Sequence, residues 1–383
     1  MRFFILFTIV FFMIACGTKH QGNSKMLVYV GTYTETDSQG IEIYRFDPHS
    51  GELHYLATAA GIKNPSYLRI SDDGRRLYAV NELTEFHGLA QGAITSFAID
   101  PQSGKLNLIN QIPSHGQAPC YLELSKSERF VLANNYLGGT AISVPILPNG
   151  SLGDPVSIVR FKGSGPVKGR QEASHVHSIN LNPQNTFAVV ADLGSDQLSV
   201  LRFDSVKGSL KILEEKTVRL SPGSGPRHVA FSKDGKFLYV ANELNSTVDA
   251  FAFDPANGSM EHLQTLRTIP QDFSGKNYPA DIHLSPDGQF LYLSNRGHES
   301  IAIFRVDQKN GQLKRVGDVP VYGSWPRNFT LSAKGKWLIV ANQRSKNLVV
   351  FKRNAQDGLL EKTGEIRTKA APACVKIRLQ RAL

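Results

Sequence analysis

Cysteine is scarce: the 383 residues contain three, at positions 16, 120 and 374. So few thiols exclude a disulfide-stapled scaffold. No Cys/His spacing in the chain matches a zinc site. Long apolar runs are also missing. A spanning helix takes about 20 apolar residues, and the run Phe3–Ile14 has 12. Charge of one sign never accumulates. The 43 basic and 33 acidic residues give a net charge of +10, yet no run of five basic residues occurs, and aromatics do not interleave with the basic positions. That scatter excludes a nucleic-acid groove. The modest positive field that remains aids solubility and suits an anionic small molecule.

Repetition is what the sequence does have. Residues 226–242 read PRHVAFSKDGKFLYVAN, and ungapped copies stand at 65–81, 119–135, 176–192, 279–295 and 326–342. A seventh copy is split: residues 372–379 (PACVKIRL) match its first half and 26–32 (MLVYVGT) its second. Each copy has two apolar runs around a turn, of which Asp234-Gly235 is the clearest, a strong hairpin signal. A third run follows, rich in β-branched and aromatic residues, at 92–100, 197–204, 247–254 and 300–307. Then comes Asp-Pro-x-x-Gly-x-Leu or a variant, at Asp47, Asp100, Asp204, Asp254 and Asp307, and a further strand. One repeat is therefore four antiparallel strands, A to D.

Four-stranded units at a period near 50 residues predict an all-β fold, a seven-bladed β-propeller. The split copy predicts ring closure, with residues 372–379 pairing beside 26–33. An open ring would leave strand edges unpaired. The 41% hydrophobic content can fill the core of one domain, residues 26–383. Cys120 and Cys374 fall in non-adjacent repeats, which excludes a bridge and leaves both as small buried side chains.

Residues 1–15 lie outside the repeats. Arg2 and the short apolar run after it read as a secretory signal. Met13-Ile14-Ala15-Cys16 resembles a bacterial lipobox, which implies cleavage before Cys16, lipid on its thiol and a polar tether over residues 16–25. The expectation is a monomeric envelope lipoprotein, periplasmic or on the surface, which meets the membrane through Cys16 alone. Without the signal the chain is cytoplasmic.

Strands A and B are antiparallel, so the start of A and the end of B share one end of each blade. Strand A lines the central channel. Positions alike in every repeat are packing; positions that differ are free to carry function. The leading Pro, the turn Ser and the closing Asn repeat. The residue after the Pro varies: Ser66, Cys120, His177, Arg227, Ala280, Arg327 and Ala373. So does the residue after the Asn: Glu82, Tyr136, Leu193, Glu243, Arg296 and Gln343. His177, Arg227, Glu243, Arg296 and Arg327 should thus meet at one mouth, a set suited to an anionic substrate and acid–base chemistry. Ordinary salt bridges around a mouth are the competing reading. Three connections are long, 82–91, 161–174 and 269–278. The second, FKGSGPVKGRQEAS, is a lid, an anion-binding loop or a surface excursion.

Several motifs resemble the seven-bladed lactonase family. They are the LYVAN-type strands, His-x-His at 175–177 after Glu172, Pro-Arg-His at 226–228, Ala-Asn-Glu at 241–243 and Ser-Asn-Arg at 294–296. The family includes propeller-type 6-phosphogluconolactonases and fungal carboxy-cis,cis-muconate lactonizing enzymes. The resemblance implies hydrolysis of 6-phospho-D-glucono-1,5-lactone, a step of the pentose phosphate pathway, without metal or other cofactor. An exported relative would act on another sugar lactone. It implies catalytic roles for His177, Arg227, Glu243 and Arg296, with His175 the other histidine that could carry over; His175, Arg327 and Glu82 at the same mouth are candidate substrate-binding residues. Glu243 would activate water, with His177 as the alternative base. Other readings are a muconate-type cycloisomerase and a non-catalytic surface propeller that binds a glycan or protein. A metal-dependent gluconolactonase fits less well, being six-bladed with a carboxylate/Asn metal site.

Overall fold

The first hairpin of each repeat sets the rest. Strands Pro226–Phe231 and Phe237–Asn242 pair antiparallel. Ser232 holds the turn between them: its hydroxyl donates to Asp234 Oδ1 and accepts the Phe237 N–H at 2.9 Å. Ser71, Ser125, Ser285 and Ser332 accept the same N–H in their repeats. Where the serine is missing, Asn182 Oδ1 takes its place. Strands Thr247–Phe253 and Met260–Arg267 complete the blade.

The structure, a computed structural model, describes residues 26–379. It contains seven antiparallel sheets. Their innermost strands are, in chain order, Tyr67–Ile70 (blade 1), Pro119–Leu124 (blade 2), Val176–Leu181 (blade 3), Pro226–Phe231 (blade 4), Tyr278–Leu284 (blade 5), Pro326–Leu331 (blade 6) and Ala371–Leu379 (blade 7). Each of these strands packs on the next, and the last packs on the first, so the ring is closed. Blade 7 is the split one. Ala371–Leu379 pairs with Met26–Tyr33, which leads to Gly40–Phe46 and Leu53–Ala60. The expected fold and closure are both present. Blade 3 departs from the pattern: its outer strand is broken into Leu210–Ile212 and Val218–Arg219 around a 3-10 turn.

Burial follows position in the blade. The two middle strands are buried on both faces, because neighbouring blades cover them, and the outermost strand alternates with solvent. The Asp-x-x-x-Gly turn before that outer strand, Asn354–Gly358 in blade 6, locks blades together. Gly358 of blade 6 sits on the ring of Phe290 in blade 5, and Tyr292 donates its hydroxyl to Gly358 O at 2.8 Å. Gly311 meets Phe237, and Gly51 meets Trp337, in the same way. The free thiols Cys120 and Cys374 are both buried, as expected. Residues 1–25, with the expected signal and Cys16, lie outside the described residues. Among the described residues no helix is long and apolar enough to cross a membrane.

Candidate active site

A β-bulge builds the channel mouth. In blades 2, 3, 4 and 6 the register slips across the residue after the leading position, at Cys120, His177, Arg227 and Arg327. A bulge inserts one residue and re-aims its side chain. Residues 227 and 228 therefore both reach the next innermost strand. Arg227 Nη1 donates to Ala280 O at 2.6 Å, and His228 Nδ1 donates to Asp281 Oδ1 at 2.8 Å.

Glu243 is the hub. Its Oε2 lies 2.7 Å from Arg296 Nη2 and 3.0 Å from Arg227 Nε. The Arg227 contact is ionic, close but without hydrogen-bond alignment, since Nε has no hydrogen-bond partner among the described residues. Oε1 accepts from Arg170 Nη2. Arg170 stands in the long 161–174 connection, so that segment belongs to the site and the surface-excursion reading falls. Gln171 anchors it, donating to Leu193 O and Asp196 Oδ1 at 2.8 Å each. Arg296 is further fixed by Nε to Tyr278 O at 3.0 Å.

A second group lies on the far side of the mouth. Tyr33 donates to Glu82 Oε2 at 2.7 Å; Arg327 Nη2 is 3.9 Å from the same oxygen and its guanidinium 5.2 Å from the Tyr33 ring centre. His177 is buried between the two groups. Its Nδ1 is 3.7 Å from Cys120 Sγ, and its ring packs edge-on against Tyr136 and His228. His175 is placed differently: it stacks on Tyr136, with Nδ1 3.1 Å from the Tyr136 carbonyl. The His-x-His pair thus splits into an inner and a rim histidine.

Charge crowding sets protonation. Burial alone would raise the Glu243 pKa, yet Arg296, Arg227 and Arg170 together hold it well below the usual carboxylate range. Burial, then Arg227, His228 and Arg327, push His177 well below its usual value, so the imidazole is neutral at neutral pH. Burial and Arg227 lower His228 to about 3. Its tautomer follows from its partners: with Nδ1–H given to Asp281, Nε2 accepts from Arg227 Nη1 at 3.1 Å. Burial, against the pull of Glu243, brings Arg296 down to about 10. Burial lifts the Cys120 thiol to about 12, which makes it inert.

Sequence reasoning missed several members of the site. Tyr33 follows the closing position of the split repeat, a signal available in the register. Arg170, Lys276 and Tyr278 come from two of the three long connections. Trp325 precedes a leading proline, with its backbone in the left-handed region at φ 68°. Arg344 lies two residues after a closing asparagine, and its guanidinium is 3.4 Å from the Trp325 ring centre. All of these except Tyr33 line a cleft of about 520 Å³ that opens beside Glu243 and Arg296. Another cavity, about 450 Å³, lies at the opposite ends of blades 4 and 5 and is lined by repeated turn residues such as Ser232 and Asp234. It contains none of the repeat-unique set. Among the described residues no group of three or more His, Cys, Asp or Glu side chains is placed to hold a metal ion.

Known proteins share this whole frame. Residues 27–377 match the family described as "Lactonase, 7-bladed beta-propeller". The chain is 35% identical over 305 residues to a 6-phosphogluconolactonase of Bacillus subtilis, covering 79% of this chain and 84% of that one. It is 36% identical over 304 residues to a 6-phosphogluconolactonase of Formosa agariphila, covering 78% and 84%. The solved structure of a periplasmic gluconolactonase from Pseudomonas aeruginosa superposes with a TM-score of 0.84 at 35% identity, covering 92% of this chain and 99% of that one. The chain belongs to the seven-bladed β-propeller lactonase family.

Proposed function

We propose that this protein hydrolyses a sugar lactone, with 6-phospho-D-glucono-1,5-lactone as the first candidate substrate. The observation that carries this reading is the buried Glu243 bound by three guanidiniums, with the buried His177 at the same mouth. Water attacks the lactone carbonyl carbon and gives up a proton; the carbonyl electrons move to oxygen as an oxyanion. Collapse restores the carbonyl and breaks the ring C–O bond, and the ring oxygen leaves as a hydroxyl after taking a proton. The product acid ionises, so each turnover releases one proton.

Roles follow from geometry and charge. Both Glu243 oxygens are engaged by guanidiniums, which makes it a weak base. We therefore assign it to orienting Arg227 and Arg296, and assign water activation to His177, the reverse of the order expected from sequence. An anionic substrate offsets Arg227 and Arg327, the cations that depress His177, and so raises its basicity on binding. Arg227 Nη2, without a hydrogen-bond partner among the described residues, is assigned to the oxyanion, with Arg296 beside it. Arg327 and Glu82 face the substrate from the other side, and His175 borders the rim.

Export as a lipoprotein on Cys16, with residues 1–15 removed, is part of the proposal. Its support is the lipobox-like sequence, and the Pseudomonas aeruginosa relative is described as periplasmic. The test is a pH-stat assay of proton release from 6-phosphogluconolactone, glucono-lactone and galactono-lactone. Release above the spontaneous rate is expected, and His177→Gln should lower it by about 10²–10⁴-fold. A protein that accelerates none of the three overturns the reading.

A further inference from the structure

The cleft beside Glu243 has a charge balance that the hydrolytic step does not require. Its walls hold Arg170, Arg296, Lys276 and Arg344 against two carboxylates, Glu243 and Glu299. Two positive charges are left over. Arg170 and Arg296 are committed to Glu243, and Glu299 accepts from the Trp325 N–H at 2.6 Å and from Ser324 Oγ. Lys276 and Arg344 have no carboxylate partner among the described residues. Arg344 is nevertheless held in place, its guanidinium lying over the Trp325 ring, which leaves the fork of N–H donors available at its edge.

These residues come from separate parts of the chain. Arg170 and Lys276 are on two long connections, and Trp325 and Arg344 flank the innermost hairpin of blade 6. Repeat packing does not need Arg344, because the corresponding positions of other blades carry Leu or Gly (Leu83, Leu137, Gly194, Leu244 and Gly297), and Arg170 and Lys276 lie outside the repeat. The left-handed backbone at Trp325, at φ 68°, turns a bulky side chain into the cleft wall. Arg170 and Arg296 line the cleft and touch Glu243 at once, so one ligand can occupy cleft and mouth together.

We infer that Lys276 and Arg344, on the Trp325 platform, form the subsite for a phosphate monoester carried on the substrate's tail, remote from the reacting carbonyl. A phosphate monoester carries about two negative charges near neutral pH, which matches the excess. It accepts the bidentate Arg fork that a compact hydroxyl tail cannot use. Arg327, across the mouth and already paired with Glu82, is left for the lactone ring rather than the phosphate. The inference rests on the lactonase reading for its substrate, but not for its ligand class.

The test is the double variant Lys276→Ala/Arg344→Ala in the full chain, which leaves the Glu243 cluster untouched. The ratio of kcat/KM for 6-phosphogluconolactone to that for glucono-lactone should fall by about 10–100-fold, mostly through KM. An unchanged ratio overturns the subsite. Calorimetry with the product anions separates the two claims. Wild type should bind 6-phosphogluconate more tightly than gluconate, and the double variant should lose that preference. If wild type hydrolyses no lactone yet keeps the phosphate preference, and the double variant loses it, the lactonase reading fails and the subsite stands. If wild type shows no preference for the phosphorylated anion, the subsite falls whatever the activity. Thermal unfolding within a few degrees of wild type confirms that the variant's losses are local.

Discussion

Glu243 shows how one buried residue organises a site. A carboxylate in a closed mouth is costly to bury alone. Three guanidiniums offset that cost and leave it too weakly basic to take a proton. Removing Arg227 should therefore cost rate before fold, since Arg296 and Arg170 still hold the carboxylate. Arg227→Ala is expected to lose about 10²–10³-fold in kcat, the range for a lost oxyanion donor; wild-type turnover in that variant would refute its role. His228 makes a second prediction at this scale. Its pKa is depressed to about 3 in the fold, against 6.5 for an unperturbed histidine. Between those values the unfolded chain binds the proton and the folded one does not. Stability is thus greatest above pH 6.5 and falls as pH drops, by about 1.4 kcal/mol per pH unit for such a group. His177 adds to the same trend. His228→Gln should flatten the slope of unfolding free energy between pH 6.5 and 5. An unaltered slope would show that His228 is not the group responsible.

The element that matters most is the bulged innermost strand. A regular strand alternates sides, so one channel-facing residue would be followed by one in the blade core. The bulge lets Arg227 serve the mouth and His228 the layer beneath it, while Val229 remains in the core. Below the mouth, Asp281 joins His228, His283 and Asn328, which ties blades 4, 5 and 6 to one carboxylate. The second structural element is the glycine turn between the third and fourth strands. At Gly358, φ is +78°, and an added Cβ would lie 2.4 Å from Phe290 Cδ1. Gly358→Ala is expected to destabilise by about 1–3 kcal/mol through overpacking, with the left-handed backbone adding about 1 kcal/mol. Chemical denaturation measures it. A change below about 0.5 kcal/mol would mean that this contact does not hold blades 5 and 6 together.

At the scale of the molecule, closure carries the argument. Met26–Tyr33 pairs with Ala371–Leu379 across nearly the whole chain, and that last strand also packs on the innermost strands of blades 6 and 1. Deleting 372–383 removes a channel-facing strand and exposes the edge of Met26–Tyr33. The expected result is loss of the cooperative transition, or a melting temperature lowered by 10 °C or more, for the ring as a whole. Melting within a degree or two of the intact protein would show that the ring does not depend on this closure.

The sequence by itself determined the blades, their number and the closing pair, because each of these is a local pattern repeated. Strand period, turn serine, turn glycine and closing asparagine recur in most copies, with stand-ins such as Asn182 and Glu128, and the split copy lacks the turn between its halves. It also placed His177, Arg227, Glu243 and Arg296 at one mouth, since the register of a repeat fixes which end a residue occupies. Only the tertiary structure decided how they pair. That Arg170 would cross from a long connection to Glu243, that Tyr33 would bind Glu82, and that Trp325 would carry Arg344 all depend on contacts between different blades and loops. Repeat register is a one-dimensional quantity. The distance between two loops is fixed only when seven blades close into a ring.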